Sequence, residues 1–167
     1  KLQLLKELPV NETPKRGIMG IPMGLNMYEL LPFWNALLSS LGFKVVHSPI
    51  EDKTIYRLGQ GTIPSDTVCY PAKLMHGHIK WLLQQGITNI FYPCMTYNID
   101  EQGTENCYNC PVVAYYSEVL HANIRDLNKP EIHFFYDYLG LLHKKKLVKK
   151  LQEMFAKAYP DITKDEI

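Results

Sequence analysis

Short, mostly uncharged segments with strand character alternate with longer segments of helical periodicity, and this alternation constrains the fold more than any other feature. Residues 16–21 (RGIMGI), 43–47 (FKVVH), 89–92 (NIFY), 111–115 (PVVAY) and 131–136 (EIHFFY) read as strands. Asn26 is placed to cap a helix ending at Leu41, with Leu30, Phe33, Trp34, Leu37 and Leu38 at helical spacing. Pro32 lies inside that pattern, so a start near Leu31 is an alternative, and Gly42 supplies the stop. Further helices are expected at residues 53–58, from Pro71 to Gln85, from Ser117 to about Leu127, and over residues 141–158. Residues 95–109 read as a polar loop. Strand–helix alternation with apolar strands predicts a mainly parallel sheet covered on both faces. The fold class is therefore α/β, a Rossmann-like or flavodoxin-like three-layer domain.

A chain of 167 residues suits one domain with its own core, so residues 1–167 are read as a single α/β domain. It opens on Lys1 rather than Met, which suggests a fragment of a larger multidomain protein, and residues 159–167 read as a frayed end or linker. The formal net charge of +1 gives no basic excess for nucleic acid. No apolar run is long enough to span a bilayer, and a cytoplasmic location is expected. The basic run His143 to Lys146, with Lys149 and Lys150, reads as the solvated face of a helix. Gly17, Gly20 and Gly24 lack the spacing of a dinucleotide-binding loop.

The four cysteines carry the candidate chemistry. Cys69 lies just before the helix that starts near Pro71, and Cys94 follows the third strand candidate. Open α/β sheets build sites at such places, and a helix N-terminus stabilises a thiolate. Cys107 and Cys110 lie in the loop that leads on from there. The residues alone leave several readings open: a shared cluster or metal, a redox dithiol, half a zinc site completed by Cys69 and Cys94 or by His76 or His78, or small buried hydrophobes.

Four blocks resemble a known family: residues 21–28 (IPMGLNMY) with 32–34 (PFW), residues 64–78 (PSDTVCYPAKLMHGH), residues 91–94 (FYPC) and residues 109–113 (NCPVV). They resemble the uncharacterised domain of acyl-CoA dehydratase activase-related proteins, similar to 2-hydroxyacyl-CoA dehydratase subunits and double-cubane cluster proteins. The resemblance runs from Gly17 to about Leu151. It implies a 4Fe–4S cluster held by Cys69, Cys94 and Cys110, with Cys107 as a possible substitute and one iron left open. It further implies an iron–sulfur electron-transfer or reductase module of an ATP-driven low-potential system. The implied partner is an activator-type ATPase module in the same or another chain, with acyl-CoA or another small molecule as possible substrate. Ser65, Asp66, Thr67 and His76 would support the cluster by hydrogen bonds, against a plainer role in capping and turns. No catalytic residue is assigned, and the domain is not expected to act alone. Two alternatives stand beside this reading: a metal-free or zinc-binding structural or interaction domain, and a CoA-thioester binding domain with a crevice at the strand C-termini.

Overall fold

A computed structural model describes Leu8, residues 11–100 and residues 106–167. In chain order the elements are β1 (Ile18–Ile21), α1 (Met27–Ser40), β2 (Lys44–His47), α2 (Lys53–Gly59), α3 (Tyr70–Gln84), β3 (Asn89–Phe91), β4 (Cys94–Tyr97), α4 (Pro111–Asn123), β5 (His133–Phe135), β6 (Tyr138–Gly140) and α5 (Lys144–Phe155). Four strands form a parallel sheet in the order β2-β1-β3-β5, and β4 pairs in parallel with β6. The α/β architecture with a mainly parallel sheet is thus the one the alternation predicts.

Register fixes the two faces, because in-register residues of parallel strands point the same way. Gly20 lies opposite Val46 and Ile90, and Ile90 opposite Phe134. On that face α3 approaches closely: a Cβ on Gly20 would stand 3.0 Å from Ile87 and 3.1 Å from Leu82. The α4 ring of His121 stacks on Phe134. On the other face Phe91, opposite Phe135, meets Trp34 of α1 and Phe155 of α5. Helices therefore cover both sides, and apolar strands buried twice over are the result.

The β3–β5 pairing does not stop at its ends. Pro93 has no N–H to donate and interrupts the ladder, yet Tyr92 N–H reaches Phe135 O at 3.0 Å and Cys94 N–H reaches Asp137 O at 3.1 Å. The same two chain segments then resume as β4 and β6. Part of the expected polar loop at residues 95–109 is therefore strand, and Tyr108 bridges back antiparallel to Tyr97. Residues 111–115 are not a strand but the opening of α4. A short apolar run reads equally as strand or helix, and here Pro111 occupies the first turn, where its missing N–H costs nothing.

The C-terminal residues pack on the start of the sheet. Arg16 pairs with Asp161 at 2.7 Å and Glu166 at 3.1 Å, Tyr159 donates to Asn89 Oδ1 at 2.9 Å, and Ile162 is buried.

Candidate functional site

Two cysteines occupy the same structural position on neighbouring helices. Cys69 precedes α3 with φ −59° and ψ 149°, and Cys110 precedes α4 with φ −58° and ψ 150°. Each is followed within two residues by a proline, and each thiol is exposed. Helices that lead into parallel strands begin at the carboxyl edge of the sheet, so both thiols lie on that edge. Cys94 follows β3 on the same edge but is fully enclosed. Burial pushes its thiol pKa up, against the opposing pull of the Ser117 hydroxyl and the Ser117 and Glu118 backbone. Cys107 is half-buried, and its carbonyl accepts from Asn98 N–H at 2.9 Å.

Tyr92 follows β3 directly and is buried. Burial raises its pKa, and the charges of Cys94, Tyr116, Cys110 and Cys69 add to the rise. Its hydroxyl is buried and has no hydrogen-bond partner among the described residues.

This geometry corrects the expected cofactor. Among the described residues no group of three or more His, Cys, Asp or Glu side chains is arranged to hold a metal ion. Cys94 is closed off against α4, whereas Cys69 and Cys110 face outward at two separate helix starts. The 4Fe–4S cluster, with the iron–sulfur, metal-binding and electron-transfer roles attached to it, does not fit this arrangement. Zinc meets the same obstacle, and a metal-free domain fits better.

The residues flanking Cys69 build a local turn. Ser65 and Thr67 hydroxyls pair at 2.8 Å, and Lys73 Nζ donates to the Asp66 carbonyl at 2.7 Å. The Asp66 carboxylate itself is exposed. His76 points inward instead. Thr62 Oγ1 gives its proton to the Gly59 carbonyl at 2.8 Å, so it accepts from His76 Nδ1 at 2.9 Å. His76 Nε2 is then an acceptor, and the Tyr116 hydroxyl donates to it at 3.0 Å. His78, on another side of α3, pairs through Nδ1 with Ser48 Oγ at 2.9 Å, and its Nε2 is buried without a partner among the described residues.

Beside the two exposed thiols runs an apolar groove of about 380 Å³, lined by Pro64, Val68, Pro111, Val112, Tyr115 and Val119 among others. Tyr115 continues it into a chain of tyrosines. Its hydroxyl meets that of Tyr108 at 2.5 Å, Tyr108 packs edge-on to Tyr97, and Tyr115 packs against Tyr138. The bond to Tyr115 pushes the Tyr108 pKa up to about 12. The sequence pattern brings the cysteines towards this edge but carries no signal for the tyrosine surface.

The family model of the CoA enzyme activase uncharacterised domain matches residues 18–167. The chain belongs to this family. No curated protein and no solved structure matches it. The match spans all four cysteines, the groove and the tyrosine surface of this activase-family domain, so each lies within the family's own unit. Membership associates the domain with an activator system for CoA enzymes. Among the described residues no helix is long and apolar enough to cross a membrane.

Proposed function

We propose that this domain is a metal-free interaction module of CoA enzyme activase proteins, docking against an activator-type ATPase module in the same or another chain. One observation carries the reading: the carboxyl-edge surface of apolar and aromatic side chains. Tyr97, Tyr115 and Tyr138 are 43%, 44% and 43% exposed, and Tyr115 joins them to the apolar groove. Exposed apolar patches of this kind mark interaction surfaces, and tyrosine is enriched where one side of a contact is wet. Cys69 and Cys110 lie beside it as small apolar groups. Membership in a CoA enzyme activase family supports the choice of an activator-type partner. Free thiols fit a cytoplasmic setting.

The test is titration of the chain with the activator-type ATPase module, followed by calorimetry. Saturable association is expected, weakened about tenfold or more by Val112→Ser or Tyr115→Ser, as for centrally placed contacts. No association, or association indifferent to both variants, overturns the reading. The groove also supports a second reading, a CoA-thioester site, since it lies at the strand C-termini and is apolar throughout. Saturable binding of an acyl-CoA that Val112→Ser weakens, without any association with the ATPase module, would replace docking by that reading.

A further inference from the structure

A second cavity lies away from the thiols, between the β4–β6 pair and α5. It has a volume of about 550 Å³, within the size range of small-ligand sites. Its floor is Thr96 and Gly140, and the side of Gly140 is open enough that a Cβ there would make only ordinary contacts, the nearest at 3.4 Å to Tyr97. Tyr97 and Tyr138 wall one side, and Lys146, Lys149 and Lys150 wall the other.

The charge of this cleft is unusual for this chain. The whole chain has a formal net charge of +1, yet α5 alone carries Lys144, Lys145, Lys146, Lys149 and Lys150 against Glu153. Lys149 and Lys150 share that one carboxylate at 3.7 Å and 3.2 Å. Lys146 has no ion pair among the described residues. Three of the lysines lie in the first turn of α5, where the helix dipole opposes positive charge, so helix stability does not account for them. Spacing places Lys146, Lys150 and Glu153 on one stripe, and it is this stripe that faces the cavity. The basic run is a solvated face, and Lys146, Lys149 and Lys150 of it also line the cavity.

We infer that this cleft binds a nucleoside phosphate. The lysines act as point charges for the phosphates, and the exposed tyrosine rings provide a flat apolar surface for the base. Glu153 holds Lys149 and Lys150 over the cavity without neutralising both. The cleft shares Tyr97 and Tyr138 with the docking surface, but the lysine stripe of α5 lies outside that surface, so the lysine variants test this inference separately from docking.

ADP is the probe, followed by calorimetry on the chain, with pyrophosphate and adenosine as the separated halves. Saturable binding of ADP is expected, and each half alone should bind at least about tenfold more weakly, because the two contacts are joined in one ligand. Lys146→Gln with Lys150→Gln should weaken ADP by about tenfold or more through loss of charged contacts. Lys144→Gln with Lys145→Gln removes the same charge from the same helix outside the cleft lining, and should change affinity by less than about twofold. Tyr97→Leu should weaken ADP by roughly fivefold and leave pyrophosphate unchanged, since only the base loses its partner. Absence of saturable ADP binding overturns the inference. Equal losses from the two lysine pairs would show diffuse attraction to a basic helix and overturn it too, as would pyrophosphate binding as tightly as ADP.

Discussion

The Tyr116 hydroxyl donates to His76 Nε2 across 3.0 Å, tying α4 to α3 through one buried imidazole. The direction of that bond follows from the far side of the ring, where Thr62 has already given its proton to Gly59. Tyr116→Phe leaves a buried ring nitrogen without a donor, which costs about 1–3 kcal/mol. Thr62→Val strands the other nitrogen at similar cost. Both act on one imidazole, so the double variant should lose less than the sum of the two. Urea unfolding of the four proteins measures this, and strict additivity would show that the chain of bonds does not work as a unit.

Acid should weaken the fold before the carboxylates titrate. Burial lowers His76 and His78 from 6.5 to about 4, and both are fully enclosed. Between those values the unfolded chain binds protons that the folded chain refuses. Stability is therefore complete above pH 6.5 and falls as pH drops towards 4, by on the order of 3 kcal/mol for each histidine at most. The shifted surface carboxylates Asp52, Asp126, Asp161, Glu153 and Glu166 have ordinary values of 3.8 or 4.5 and act lower still. His78→Leu should flatten part of the slope between pH 6.5 and 5. A urea midpoint that stays constant over that window would refute the assignment.

The contact of α2 with α3 is backbone against backbone. A Cβ on Gly77 would overlap the Ile55 carbonyl, and one on Gly59 would overlap the backbone of His76 and Gly77. Neither obstacle is a side chain that can swing away, so Gly77→Ala and Gly59→Ala should each cost several kcal/mol, about 3 or more. Gly61 faces open space, and Gly61→Ala should change stability by less than about 0.5 kcal/mol. Thermal unfolding of the three variants separates them, and a tolerated Gly77→Ala would mean that the two helices do not touch as described.

The parallel sheet was legible because FKVVH and NIFY sit between segments with clear helical periodicity and glycine stops at Gly42 and Gly86. The start of α4 was not, because PVVAY is β-branched and apolar and its helical partners Ser117 and Leu120 come only later. A signal was present: Pro111 follows Cys110 much as Pro71 follows Cys69, and both cysteines adopt the same extended backbone ahead of a helix. β6 was hidden because three residues, Tyr138–Gly140, carry too little pattern to read. For the site, sequence placed the thiols near the right edge, but spacing says nothing about burial. That Cys94 turns inward against α4 while Cys69 and Cys110 face out depends on α4 being a helix. The tyrosines joining Tyr97 to Tyr138 are distant in sequence and meet only once β4 and β6 pair.

That difference in burial gives the four thiols distinct reactivities, and labelling the native protein with a maleimide reads it directly. Cys69 and Cys110 are exposed and should label first. Cys107 is half-buried and should follow. Cys94 is enclosed, and burial also holds its thiol in the protonated, unreactive form. Its labelling requires opening of the fold, so its rate should fall below that of the exposed thiols by about the factor set by the opening equilibrium, on the order of a thousandfold or more for a domain of ordinary stability. Urea should abolish the difference between Cys94 and the rest. Tyr116→Phe, by loosening α4 from α3, should raise the Cys94 rate by about tenfold while leaving Cys69 and Cys110 unchanged, since about 1.4 kcal/mol of lost stability is a tenfold change in the open population. Peptide mapping by mass spectrometry assigns each label to its residue. Rapid native labelling of Cys94 would show that β4 is not sealed against α4, and the enclosure that sets this thiol apart from the other two would be wrong.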